Sequence, residues 1–97
     1  MVLYVYLERE DGSQVAMSSI ADAAGFVNSH ARGTSFLRFI DPYGRTVFNR
    51  KQCEALREEW RILESRTPRL QAWTKEVATL IERCANELHL YLRFEGD

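Results

Sequence analysis

Two consecutive stretches of this chain each gather their apolar residues onto one helical stripe, and only the short Ser65-Arg66-Thr67 link separates them. In the first, Cys53, Leu56, Trp60 and Leu63 fall within an arc of about 80° at 100° per residue. Asn49 stands at the N-cap position with Gln52 three residues on as its capping-box partner, so a helix is predicted over about 50–64. In the second, Leu70, Trp73, Val77, Leu80, Ile81, Cys84 and Leu88 share about 100° of arc, with Lys75, Thr79, Glu82 and Asn86 opposite. Thr67-Pro68 is a start signal, and the pattern predicts a helix over about 68–88. A link this short forces the two helices antiparallel. Each then has a stripe that must be buried against another layer.

The rest of the chain supplies that layer. Val2 to Leu7 is β-branched and aromatic and ends at a polar stretch where Asp11-Gly12 can turn, predicting a hairpin with Gln14 to Ser18. Ser35 to Asp41 reads as a strand entering the turn Asp41-Pro42-Tyr43-Gly44, with Gly44 in the left-handed position and Thr46 to Phe48 returning. Leu90 to Phe94 alternates and ends at Gly96, and two helices between strands set it antiparallel to Thr46–Phe48. The expectation is an α+β two-layer sandwich over residues 1–97, a mostly antiparallel sheet of about five strands with the helix pair on one face. Ser19 to Ala31 carries a capping-box signal at Ser19 and Asp22 and is read as a short helix running into a loop.

At 97 residues the chain can bury one core without disulfides or metal. Thirteen basic residues against fourteen acidic ones give a net charge of −1, which removes the long-range field of a general polyanion binder. No apolar run approaches the roughly 20 residues of a membrane span, and the opening residues lack the basic and small-residue features of a secretory signal. The expected setting is the cytoplasm, without membrane association. Cys53 and Cys84 have no zinc-site spacing and read as buried free thiols, and neither metal nor cofactor is expected.

Phe36-Leu37-Arg38-Phe39-Ile40-Asp41-Pro42-Tyr43-Gly44-Arg45-Thr46-Val47-Phe48-Asn49 and the ending His89-Leu90-Tyr91-Leu92-Arg93-Phe94-Glu95-Gly96-Asp97 resemble a group of short uncharacterised bacterial proteins that share this hairpin and tail. The resemblance covers about a third of the chain. It implies a bacterial accessory protein and brings no catalytic residues to carry over. Arg45 stands where the group favours an acidic residue, so what the hairpin tip binds would differ here.

The sequence points away from an enzyme, since it has no phosphate-binding glycine loop, HExxH, GxSxG or calcium-loop spacing. Asn28, His30 and Arg32 form the one polar cluster with chemical potential: His30 as a base and Arg32 as an anion holder would make a small-molecule-binding or catalytic loop, against the plainer reading of a solvated turn. His89 is read as a residue at a helix C-terminus, where the dipole favours its charged form. Ile62 lies opposite Cys53 and should face solvent.

The face of the sheet turned away from the helices is more informative. Period-2 alternation with Leu3, Val5, Leu7, Leu37, Phe39, Leu90, Leu92 and Phe94 inward sends Tyr4, Tyr6, Phe36, Arg38, Ile40, Tyr91 and Arg93 outward. Such an apolar patch has three readings. Residues 19–34 could fold over it; it could contact a protein, a face-to-face homodimer included; or its tyrosines could stack on single-stranded nucleic acid. The last is disfavoured by the net charge and the missing glycine-aromatic motifs. The expected function is therefore a protein-binding module, an inhibitor or immunity-type partner or a homodimer, acting through Tyr4, Tyr6, Phe36, Arg38, Tyr91 and Arg93.

Overall fold

In the computed structural model, which describes residues 2–21, 34–66 and 72–96, the alternation at the start of the chain becomes strand β1 (Leu3–Arg9), with Leu3, Val5 and Leu7 fully buried. A tight turn follows, in which the Arg9 carbonyl accepts the Gly12 N–H at 2.9 Å and the Asp11 carboxylate accepts the Ser13 N–H at 2.8 Å. Gly12 has φ +86°, the left-handed conformation glycine adopts without steric cost. Strand β2 (Gln14–Ile20) returns antiparallel, with a register shift opposite Leu7/Glu8.

Strands β3 (Arg45–Phe48) and β4 (Leu90–Gly96) complete a four-stranded antiparallel sheet of order β2-β1-β4-β3. The last strand is thus internal, pairing with β1 on one side and β3 on the other. Leu90, Leu92 and Phe94 point to the same side as Leu3, Val5 and Leu7 and are buried as well.

Helices α1 (Arg50–Arg66) and α2 (Ala72–Asn86) cover that side. The expected capping box is present: the Asn49 N–H donates to Gln52 Oε1 and the Gln52 N–H to Asn49 Oδ1, both at 2.9 Å. Cys53, Leu56, Trp60 and Leu63 are buried, and Ile62 is exposed, as their angular positions require. From α2, Val77, Leu80, Ile81, Cys84 and Ala85 enter the same core. Trp60 Nε1 donates to the Thr74 carbonyl at 3.0 Å and Arg57 meets Glu82 at 3.2 Å, so rising numbers on one helix meet falling numbers on the other, which is the antiparallel arrangement. Ser18 Oγ donates to Glu76 Oε2 at 2.8 Å and ties α2 to β2.

Several expectations are corrected. Among the described residues the sheet has four strands, because residues 35–41 form a single 3₁₀ turn (Leu37–Phe39) and an extended lead into the next turn. Glu59 of α1 is the reason: its carboxylate accepts the N–H groups of Ser35, Phe36 and Leu37 at 3.0 to 3.1 Å, and Thr34 Oγ1 takes that of Arg38 at 3.0 Å. These donors are then lost to a strand ladder. β2 runs on through Ser19 and Ile20, since pairing with Tyr4 and Leu3 overrides the local capping signal. Gly44 closes its turn by donating to the Asp41 carbonyl at 3.2 Å, but Gly12 and His89 are the described residues with positive φ, so Gly44 is not left-handed. A Cβ there would lie 2.6 Å from Asp41 Oδ2, so the Asp41 side chain would have to shift to admit one. Leu88 is exposed because α2 ends at Asn86. Residues 22–33, Leu70 and the side chain of Trp73 lie outside the described residues.

Candidate functional site

The outward side chains of the sheet form rows fixed by the strand register. One row reads Ser19, Tyr4, Glu95, Arg45; the next reads Met17, Tyr6, Arg93, Val47; Glu8 and Tyr91 lie opposite each other beyond them. Tyr4, Tyr6, Tyr91 and Arg93 therefore share one face, as the alternation predicts. Phe36 and Arg38 do not. With residues 37–39 in a 3₁₀ turn the period-2 rule no longer applies, and the Phe36 ring packs edge-on against Phe48 at 6.3 Å, itself edge-on to Phe94 at 5.8 Å. Arg38 sits over Phe39 with its guanidinium 5.0 Å from the ring centroid. The same change of backbone buries Ile40 and leaves Phe39 58% exposed, the reverse of the expected sides.

Arg93 organises the face. Its guanidinium lies 4.3 Å from the Tyr6 ring centroid and donates through Nε and Nη2 to both Glu8 carboxylate oxygens at 2.9 Å, a bidentate fork. Nη1 donates to Glu95, whose other oxygen meets Arg45 at 3.1 Å. The Arg93 and Glu8 side chains are only 17% and 16% exposed, and the hydrogen bond to Glu8 holds the Arg93 guanidinium above its ordinary range. Two carboxylates and two guanidinium groups neutralise one another across the centre. Tyr4 and Tyr6, with ring centroids 6.3 Å apart, and the exposed Met17 and Val47 surround them.

This arrangement contains no described nucleophile beside a base, and its central charges are already paired. It offers an aromatic and apolar surface around a satisfied polar centre. Glu8, Met17, Val47 and Glu95 join the residues that the strand pattern predicts for this face. Alternation alone places Met17 and Val47 on the outer face once β2 and β3 are assigned, whereas Glu8 and Glu95 reach Arg93 only through the strand register.

Elsewhere, His89 lies past the end of α2 with φ 63°, and its Nδ1 is 2.9 Å from Glu10 Oε1. His89 thus sits in the turn between α2 and β4, beyond the helix C-terminus where it is expected, and its described partner is the Glu10 carboxylate from the β1–β2 turn. A depression of about 270 Å³ there is lined by Glu10, Arg50, Lys51, Leu88, His89 and Tyr91 among others. The Asn28, His30 and Arg32 cluster lies outside the described residues. Among the described residues, no helix is long and apolar enough to cross a membrane.

No protein-family model, no curated protein and no solved structure matches this chain.

Proposed function

We propose that this protein is a small protein-binding module that meets its partner through the outer face of the sheet. The observation that carries the reading is the ring of Tyr4, Tyr6, Met17, Val47 and Tyr91 around an ion network that is already neutralised. A partner covering this face would bury aromatic and apolar area without having to pair a bare charge, and the desolvation penalty of the centre is already offset internally. Single-stranded nucleic acid fits less well, because Arg93 and Arg45 are committed to carboxylates and phosphate contacts need free cations. An inhibitor or immunity-type accessory role in the cytoplasm of a bacterium, in kinship with the proteins sharing the FIDPYG and HLYLRF segments, belongs to this reading.

Site-specific photo-crosslinking in cells tests it. A photoreactive residue in place of Tyr4 or Val47 should give a discrete higher-mass adduct, and one in place of Ile62, exposed on α1, should not. Equal adduct patterns from both faces would refute the assignment of the outer face.

A further inference from the structure

The two edges of the sheet are not alike. β3 is four residues long, carries Arg45, and has the 39–41 segment along its free side: Thr46 Oγ1 accepts the Asp41 N–H at 3.0 Å and donates to the Phe39 carbonyl at 3.2 Å. Short length, charge and a covering loop are the ordinary means by which an edge is closed to further pairing. Among the described residues, β2 has none of them. It is seven residues long, Gln-Val-Ala-Met-Ser-Ser-Ile, with no proline and no charged side chain, and among the described residues nothing pairs with its outer side.

We infer that β2 pairs antiparallel with β2 of a second copy of this chain, joining two four-stranded sheets into one of eight. The strand's own sequence favours a second copy over a foreign peptide. Antiparallel self-pairing about a two-fold axis demands that a segment tolerate itself, and the run Ala16 to Ile20, which is in regular register with Leu3 to Leu7, does so. Centred on Ser18, it sets Met17 opposite Ser19 and Ala16 opposite Ile20 of the second copy, with no charged side chain in the run itself. The register shift opposite Leu7/Glu8 leaves the Gln14 end out of the regular ladder and limits the pairing to this run. The row Val47, Arg93, Tyr6, Met17 would then continue across the axis into Ser19, Tyr4, Glu95 and Arg45 of the second copy, doubling the outer face. The pairing uses the edge and not that face, so it stands or falls separately from the proposed function.

The test is sedimentation of the full chain over a concentration series, with amide hydrogen exchange read on β2. The wild type should show reversible dimerisation, and protection of alternate amides within Ala16–Ile20 should rise with concentration. Met17→Lys/Ser19→Lys, both on exposed outward positions, should weaken association by about tenfold or more, as lysine does at natural edges. Val47→Lys, equally exposed but on the other edge, should leave it unchanged. A monomer at every concentration, or a dimer indifferent to the double lysine variant, would overturn the inference. Loss of the dimer on Val47→Lys alone would mean that copies meet face to face instead. Should the double variant fail to fold, the concentration dependence of wild-type exchange decides: protection of β2 that does not change with concentration counts against the pairing.

Discussion

The amide of Gly96 donates to the carbonyl of Gly44 at 2.8 Å, so the end of the last strand is laid directly on the Asp41–Gly44 turn. A Cβ on Gly96 would sit 1.9 Å from the Pro42 carbonyl oxygen, which is backbone and cannot swing aside. Gly96→Ala should therefore pull the end of β4 from the turn and cost roughly 1–3 kcal/mol, the range for overpacking. At Gly12 nothing lies within 4 Å and only the positive φ opposes a side chain, so Gly12→Ala should cost about 1 kcal/mol. Denaturant melts of the two variants check the order, and a Gly96→Ala protein as stable as the wild type would show that the turn yields.

Much of this fold is visible in the sequence because the determining contacts are local or strictly periodic. Asn49 and Gln52 cap a helix within one turn, and Leu3, Val5, Leu7, Leu90, Leu92 and Phe94 need only alternation to reach the core. Residues 35–41 are different. Phe36-Leu37-Arg38-Phe39-Ile40 satisfies a strand pattern, but its backbone donors are claimed by Glu59, a carboxylate on another element that no local rule connects to it. The same distinction divides the candidate site: alternation finds Tyr4, Tyr6, Tyr91 and Arg93 where strands exist, and misplaces Phe36 and Arg38 where the strand does not.

Glu59 should accordingly be worth more than its place on an amphipathic helix implies. Glu59→Ala leaves the N–H groups of Ser35, Phe36 and Leu37 without their acceptor, part-buried in two of the three cases. A loss of about 1–3 kcal/mol is expected, with faster amide exchange at these three residues before any change in β1 or β4. Exchange rates at 35–37 that match the wild type would show that the carboxylate is dispensable.

Cys53 and Cys84 are both fully buried where the helices meet the sheet. The neighbouring Cys84 thiol, together with burial, holds the Cys53 thiol above the ordinary thiol range, so its nucleophilic form is scarce at neutral pH. Alkylation of the native protein should be slow, should label both thiols together, and should accelerate with denaturant as global unfolding does. Rapid labelling of Cys53 alone in native buffer would contradict this packing.

The Glu82 carboxyl is held below the ordinary carboxylate range, first by the hydrogen bond from Asn86 and then by the Arg57 charge. A carboxyl with a lowered folded-state pKa contributes above its unfolded value, and that contribution is lost as pH falls through the folded one. Acid melts between about pH 5 and 3 should show stability declining, with a shallower decline for Glu82→Gln. An unchanged slope in that variant would mean the interaction is screened by solvent.

The Arg93–Glu8 fork should be energetically distinct from the ion pairs on the helix surfaces. Arg61 and Glu58 are 67% and 60% exposed, and a pair of that kind couples by about 0.2–1 kcal/mol at most. Arg93 and Glu8 are shielded to 17% and 16%, bonded through two nitrogens, and stacked on Tyr6. Arg93→Met would leave Glu8 and Glu95 facing each other without their shared cation, at a cost of roughly 1–3 kcal/mol. Adding Glu8→Gln should recover part of that loss, because the second change removes the stranded charge. A double-mutant cycle in denaturant should then give a coupling energy of about 1 kcal/mol or more, against near zero for Arg61 and Glu58. Equal coupling in the two pairs would mean that the outer face is wetter than its side-chain exposures indicate, and Arg93 would be available to an incoming anion after all.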